Sequence, residues 1–375
     1  TFKDDSQLTS IGSLVFEDAT SLTSITIPSS VTSIENGAFK KSGLTSVTFE
    51  AGSQLASIGI ETFSATTNLT SINIPSAVTS IGINAFLDSD LTEAIINVDK
   101  VGETGFPSAL GSGQTIGSKL DVTIIGYKVF SGSGGLNGGT SQLNGATIAI
   151  IEGYDSIGAN AFQDASGLTS IEIPDTVTSI GNQAFRDAIS LTSITIPADV
   201  TSIEYLAFSG ASSLSSVTFE DISNSQLTSI GDSAFYRASS LTSITIPASV
   251  TSIGVSTFYQ ASSLSSVTFE DISNSQLTSI GNNVFYETTS LISITIPSGV
   301  TSIGNYTFSD ASGLTSVTFE DGSQLTSIGI YAFQNATSLT SITIPASVTS
   351  IGGGTFFGAS SLTDINIPEG VTIIE

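Results

Sequence analysis

The sequence predicts a repeat solenoid: about fifteen coils of one short unit, stacked so that their strands form a parallel sheet. Three observations point there. The segment L-T-S-I-T-I-P stands at Leu22–Pro28, Leu191–Pro197, Leu241–Pro247 and Leu339–Pro345, with variants starting at Leu69, Leu168, Leu291 and Leu362. A second form ends in V-T-F-E, at Leu44–Glu50, Leu214–Glu220, Leu264–Glu270 and Leu314–Glu320. A phenylalanine recurs at Phe16, Phe39, Phe63 and Phe86, and again from Phe162 through Phe185, Phe208, Phe235, Phe258, Phe285, Phe308 and Phe333 to Phe356, mostly 23 residues apart and elsewhere 24 to 27.

Each part of the unit has a physical reading. In S-I-T-I the apolar side chains alternate, so Ile25 and Ile27 point inward while Ser24 and Thr26 point out. β-Branched Ile, Val and Thr favour a strand. Pro28 ends it, because proline cannot donate to a ladder. Val31–Ile34 is a second short extended leg, followed by a turn. Ala38 and Phe39 are expected to enter a short helical or 3-10 turn whose Phe plugs the coil. Extra residues fall only in the V-T-F-E units, as at Asp221–Ser225. Length variation at one point of the unit marks a loop on one edge of the stack.

One continuous solenoid is expected in three stretches: regular coils over 1–90, an irregular part over 91–150 and regular coils over 151–375. The middle is glycine-rich at Ser131–Gly139 and places Phe106 and Phe130 where two degenerate units could carry their plug. It reads as decayed repeats with a long loop; the alternative is a kink or a dedicated binding loop.

Composition removes several functions. The chain has no Cys, His, Met or Trp. Disulfides, thiolate zinc sites and Ser-His-Asp or Cys-His catalysis are therefore impossible. The absence of Met predicts that Thr1 is not a translation start and that the chain is a processed product or a fragment. No leader is visible, and no apolar run is long enough to span a membrane as a helix. A net charge of −25 repels phosphate backbones, so nucleic acid is not an expected partner. The opening T-F-K-D-D-S-Q-L matches the inside of a V-T-F-E unit, and the final V-T-I-I-E stops partway through one. Neither end reads as a cap, which fits a fragment or an assembly stacked end to end.

The motif L-x-x-I-x-I-P-x-x-V-x-x-I-G-x-x-A-F resembles the BspA-type leucine-rich repeat over nearly the whole chain outside the middle. The resemblance implies a right-handed superhelix with a strand-lined face. It also implies an extracellular or cell-surface protein of microbes, protists or their large viruses, concerned with adhesion and protein binding. Many units of that family carry a Cys after the Phe, which this chain lacks.

Four groups of residues are candidate sites. The first is a hydroxyl array on the strand face: Ser193, Thr195, Ser216, Thr218, Ser243, Thr245, Ser266, Thr268, Ser293, Thr295, Ser316 and Thr318. These are expected to stack in two ladders, either as a solvated face of good strand formers or as a binding surface. A regular ladder of that kind also resembles the threonine faces of ice-binding solenoids, which need evenly spaced coils. The second is the acidic loop, with Asp221, Asn224, Asp271 and Asn274 as calcium candidates against a plain solvated edge. The third is the sequons at Asn68, Asn305 and Asn335; the last two flank the Phe turn and are expected on the exposed side, as glycan acceptors in a secreted eukaryotic protein. The fourth is a set of tyrosines, of which Tyr236, Tyr259 and Tyr286 directly follow their Phe and could form an outer stripe, by local packing or as a protein contact.

Three functions follow. A non-enzymatic extracellular protein that binds a protein partner or mediates adhesion through the strand face comes first. A structural subunit of a surface fibre, coat or filament, built by self-association, is the alternative. Ice binding is the third. No cofactor is expected apart from calcium, and no paired acid and base stands out as a catalytic centre.

Overall fold

The computed structural model of the chain describes residues 7–374, with the side chains of 373 and 374 left aside. The opening T-F-K-D-D-S segment and the final Glu375, on which the reading of uncapped ends draws, lie outside the described residues. The architecture is a parallel-strand β-solenoid of about sixteen turns, one more than the repeats predict. The chain forms two compact units, one up to Val129 together with Leu143–Ala149, the other Phe130–Gln142 together with the chain from Ile150 onward.

In the second unit each regular coil contributes two strands. A long strand carries the S-I-T-I or S-V-T-F segment, as at Ser193–Ile196 and Ser216–Phe219. A two-residue strand carries the S-I of V-T-S-I-G, as at Ser202–Ile203 and Ser229–Ile230. The short strands pair parallel in uniform register, Ser179 with Ser202, Ser202 with Ser229 and Ser229 with Ser252. The threonine before each short strand adds a rung. Thr228 Oγ1 donates to the Thr201 carbonyl at 3.0 Å, and Thr251 Oγ1 donates to the Thr228 carbonyl at 3.0 Å. The glycine after it permits close coil approach: a Cβ on Gly254 would stand 2.5 Å from the Asp232 nitrogen and 2.7 Å from the Gly231 carbonyl carbon.

The Phe corner differs from the expected helical or 3-10 turn. It is a run of non-helical turns. Alternate N–H groups bond within the coil and to the next coil: Tyr236 N–H donates to Ser233 O at 3.1 Å, while Phe235 N–H donates to Thr257 O at 2.9 Å and Arg237 N–H to Tyr259 O at 2.8 Å. Outward bonding of every second residue requires a backbone that reverses hand at regular points. The residues two before and two after the Phe are left-handed, as with Ser233 and Arg237 at φ 57° and 58°, and Ser256 and Gln260 at φ 57°. No Val, Ile or Thr occupies these positions, where β-branching clashes most. The plugs are fully buried from Phe162 to Phe333 and stack face to face, coil upon coil.

The first unit starts in the same style, with Phe16, Phe39, Phe63 and Phe86 in one stack. The irregular part then builds a hairpin. Gly111–Ile116 runs antiparallel to the start of the long strand Lys119–Ser131, which also pairs parallel with Glu93–Asn97 through Thr123–Tyr127. Tyr127 Oη donates to the Ile74 carbonyl at 2.9 Å. In the second unit Gly135–Leu136 pairs with Ser156–Ile157 as a degenerate short strand. Phe130 is buried but meets Phe162 edge-on at 89° rather than joining a face-to-face stack.

Candidate functional site

The hydroxyl array lies on the long strands of the second unit, and the structure divides it. Each I-T-I-P strand pairs over four residues with the V-T-F-E strand that follows: Ser193 to Ile196 with Ser216 to Phe219, Ser243 to Ile246 with Ser266 to Phe269, and Ser293 to Ile296 with Ser316 to Phe319. Across the next junction the register shrinks to Ser216 with Ser243 and Ser266 with Ser293, and to Ser316 and Val317 with Ser341 and Ile342. The serine ladder is therefore continuous, whereas the expected threonine ladder is broken into couples. Within a couple the hydroxyls share a hydrogen bond, Thr195 with Thr218 at 3.0 Å, Thr245 with Thr268 at 3.0 Å and Thr295 with Thr318 at 2.8 Å. The even spacing on which the ice-binding expectation rests is not formed.

A proline marks each loose junction. At the tight junction the glutamate after the strand donates to the coil before: Glu220 N–H to Ile196 O, Glu270 N–H to Ile246 O and Glu320 N–H to Ile296 O, each at 3.0 Å. At the loose junction the same position is held by Pro247, Pro297 or Pro345, which have no N–H to give. The longer V-T-F-E coil adds its loop at the same edge, including the 3-10 turns Ile222–Asn224 and Ile272–Asn274.

The strands consequently splay, and the inward side chain of the V-T-F-E strand is uncovered. Ile196, Ile246 and Ile296 are fully buried, while Phe219, Phe269 and Phe319 at the matching position are half-buried. Between Ser316–Ser323 and Ser341–Ser347 the splay opens a groove of about 500 Å³, with Phe319 in its lining, Thr318 and Thr343 on its walls and Glu320 and Asp321 at its rim. The same residue types recur at Phe219–Asp221 facing Ser243–Pro247 and at Phe269–Asp271 facing Ser293–Pro297. The sequence reading missed this groove. Its signals were the Phe in place of Ile and the proline in place of a donor.

The acidic loops are built for their own order. Asp221 accepts from Ser223 Oγ at 3.0 Å and Asn224 Nδ2 at 2.8 Å; Asp271 accepts from Ser273 Oγ and Asn274 Nδ2, both at 2.8 Å. These bonds, from the asparagine first and then the serine, hold both carboxyls below the usual aspartate range. Glu220 is pushed the other way by a hydrogen bond and repulsion from Asp175. Glu320 reaches back to accept the Ser298 N–H at 2.9 Å. Among the described residues, no three or more of His, Cys, Asp and Glu gather in a way that could hold a metal ion.

The tyrosine stripe forms as a stack along the Phe corner. Tyr236 and Tyr259 lie 4.9 Å apart and Tyr259 and Tyr286 4.6 Å apart, with the Arg237 guanidinium 5.1 Å from the Tyr236 ring centre. Burial, followed by the charges of Asp310 and Glu287, pushes the Tyr286 hydroxyl up to about 12. Beside the rings, Arg237 Nε donates to Gln260 Oε1 at 2.8 Å and Gln260 Nε2 donates to Glu287 Oε2 at 2.7 Å.

Of the sequons, Asn68 is exposed. Asn305 and Asn335 are half-buried, with their carboxamides engaged: Asn305 Oδ1 accepts the Ile330 N–H at 2.8 Å and Asn335 Nδ2 donates to Asp310 Oδ1 at 2.8 Å. Thr307, the hydroxyl residue of the Asn305 sequon, is fully buried and donates to Gly304 O at 2.8 Å. The expectation of exposure fails at these two because the corner turns its asparagines into coil-to-coil bonds.

Comparison with known proteins agrees with this architecture. The chain matches the sequence profile of the BspA type leucine rich repeat region in six copies, over residues 1–112, 155–277 and 278–375. Among solved structures it is similar to a leucine-rich repeat protein from Bacteroides ovatus, at 27% identity over 98% of this chain and 78% of that one, with a TM-score of 0.51. It is also similar to a leucine-rich repeat protein from Eubacterium ventriosum, at 22% identity over 88% and 83% of the two chains with a TM-score of 0.44. A leucine rich cell surface protein from Faecalibacterium prausnitzii matches at 24% identity over 92% and 87%, with a TM-score of 0.35. Only the first of these bears on the fold of the present chain. No curated protein matches.

Proposed function

Because the chain belongs to the BspA-type leucine-rich-repeat family, we propose that it is a non-enzymatic binding protein that acts outside the cell or at its surface, taking a protein partner on the strand-lined face of its second unit. The splayed face is the observation that carries this reading. Its half-buried Phe219, Phe269 and Phe319 stand at intervals among exposed Thr195, Thr218, Thr268, Thr295 and Thr318 and half-buried Thr245. Aromatic area set within polar surroundings is the composition of protein-contact surfaces. The partner adheres through several shallow contacts rather than one deep pocket, which suits a role in adhesion. No helix among the described residues is long and apolar enough to cross a membrane.

The test is saturable binding of immobilised chain to purified extracellular proteins, compared between two double variants. Thr245→Lys with Thr295→Lys places cations on the strand face. Ser240→Lys with Ser290→Lys places the same charges on the turn after the Phe corner. Loss of binding in the first pair alone supports the reading. Equal loss in both pairs, or no loss in the first, overturns it.

A further inference from the structure

The groove beside Phe319 and the two earlier coils that repeat its residue types share one chemistry, and together these point to a ligand. Each carries a half-buried phenylalanine followed directly by two carboxylates: Phe219 with Glu220 and Asp221, Phe269 with Glu270 and Asp271, Phe319 with Glu320 and Asp321. From residue 151 onward the sequence holds twenty acidic residues against two basic ones, Arg186 and Arg237, so no local excess of cations neutralises these rims. An aromatic ring beside carboxylates suits a side chain with an apolar stem and a cationic tip, which is arginine or lysine. These positions recur every second coil. Their separation is two coil steps, about 10 Å or slightly more because one of the two junctions is opened. One turn of polyproline II helix covers about 9 Å and returns every third side chain to the same face, whereas in a β-strand residues three apart face opposite ways.

We propose that the strand-lined face of the second unit binds an extended polypeptide segment carrying arginine or lysine at every third residue, one cation to each groove. This rests on the strand-face reading above and adds the chemistry of the partner. The aliphatic stem lies on the phenylalanine and the charge meets the rim. Asp221 and Asp271 are pinned by their own loops, so less ordering is lost on binding. Glu320 keeps one oxygen bonded to the Ser298 N–H and presents the other.

The experiment uses two labelled peptides of identical composition, built from Arg, Pro and Ser. One has arginine at every third residue; the other has its arginines in one block. Binding to the intact chain is read by fluorescence anisotropy at about 0.15 M salt, where distant charges are screened. The spaced peptide is expected to bind about tenfold tighter than the blocked one. Removing one groove's charges with Glu270→Gln and Asp271→Asn is expected to weaken the spaced peptide roughly fivefold and to leave the blocked peptide nearly unchanged. Phe269→Thr is expected to do the same, and Asp321→Asn, on an exposed rim, serves as the variant least able to disturb folding. Equal affinity for the two peptides overturns the spacing, since non-specific attraction to an acidic protein would suffice. Binding of neither peptide overturns the partner chemistry. If a purified protein still binds and is lost in Thr245→Lys/Thr295→Lys, the strand-face reading stands while this proposal falls.

Discussion

The Phe corner and the strand-lined face belong to the same coils of the second unit, yet they keep different time. Along the corner the stacked rings from Phe162 to Phe356 stay between 5.1 and 5.6 Å apart at every step. Along the face, four-residue pairing alternates with one or two residues. The core therefore repeats every coil and the surface every second coil. The corner can be uniform because its own N–H groups bond the next coil wherever the extra loop residues fall. The face cannot, because proline withholds a donor at one junction in two. The stability of the corner and the recognition proposed for the face thus fall on different parts of one coil, and substitutions should separate them.

The largest separation is expected at the phenylalanines. Phe235 is fully buried and stacked between Phe208 and Phe258. Phe235→Ala leaves a cavity that neighbouring coils cannot refill, and should cost about 3–5 kcal/mol. Phe269→Ala removes a half-exposed ring and should cost about 1–2 kcal/mol. Urea unfolding of the two variants measures both. Equal losses would break the distinction between corner and face.

The backbone of the corner supplies the next test. Ser256 sits at φ 57°. Ser256→Val forces a β-branched residue into a left-handed position and should cost roughly 1–2 kcal/mol. Thr245→Val on the face exchanges one strand former for another and should stay within about 0.5 kcal/mol, even though it removes the hydroxyl shared with Thr268. Thermal unfolding of the pair sharpens the comparison. A destabilised face variant beside a neutral corner variant would reverse it.

Which of these features could be read in advance depends on whether a residue type or a relation carried the signal. The strands, the inward isoleucines and the buried plugs announce themselves by alternation and by the recurrence of Phe. The two-coil period was legible as a 23-residue step alternating with longer ones around Phe208, Phe235 and Phe258. The left-handed corner was not, because Leu206, Ser233, Arg237 and Tyr306 share nothing except the lack of a β-branch; Ala-Phe near a turn suggested a helix instead. Asn305 and Asn335 looked like exposed acceptors because a sequon says nothing about where its carboxamide is bonded. The grooves are relations between coils: a missing N–H matters only once Pro247 is known to face Phe219. Along Lys119–Ser131, Gly126 and the surrounding glycine-rich stretches hid a thirteen-residue strand whose β-branched run was the available sign.

An alkaline pH effect should also fall on the corner. The hydroxyl of Tyr286 ionises near 12 in the folded chain against about 10 when unfolded. Its folded-state value is raised, so the unfolded chain loses the proton first. The contribution is intact below pH 10 and is lost as pH rises from about 10 toward 12. Tyr286→Phe should flatten that part of the stability curve, and ultraviolet titration of the phenolates should show one late step that the variant lacks. An unchanged curve in Tyr286→Phe would remove the column's share in alkaline sensitivity.

The smallest change in stability is expected where the two periods originate. Pro247→Ala restores an N–H opposite Phe219, in the place where Glu220 donates to Ile196 one junction earlier. A new hydrogen bond contributes about 1 kcal/mol. Loss of the proline frees the unfolded chain and costs about 0.4–1 kcal/mol. Net stability should therefore move by less than about 1 kcal/mol, so the informative readout is hydrogen exchange. If the missing donor causes the splay, the amide of residue 247 becomes protected and the pairing of Ser216 with Ser243 lengthens toward four residues. If that amide exchanges as fast as an exposed one, the donor is not the cause and the longer V-T-F-E loop must hold the strands apart by itself. Shortening Asp221–Asn224 to the two-residue Asp321–Gly322 form would then be required to close the junction, although the groove between Ser316–Ser323 and Ser341–Ser347 already stands open beside that shorter loop. That existing groove is why the proline, common to every loose junction of this unit, is the stronger candidate.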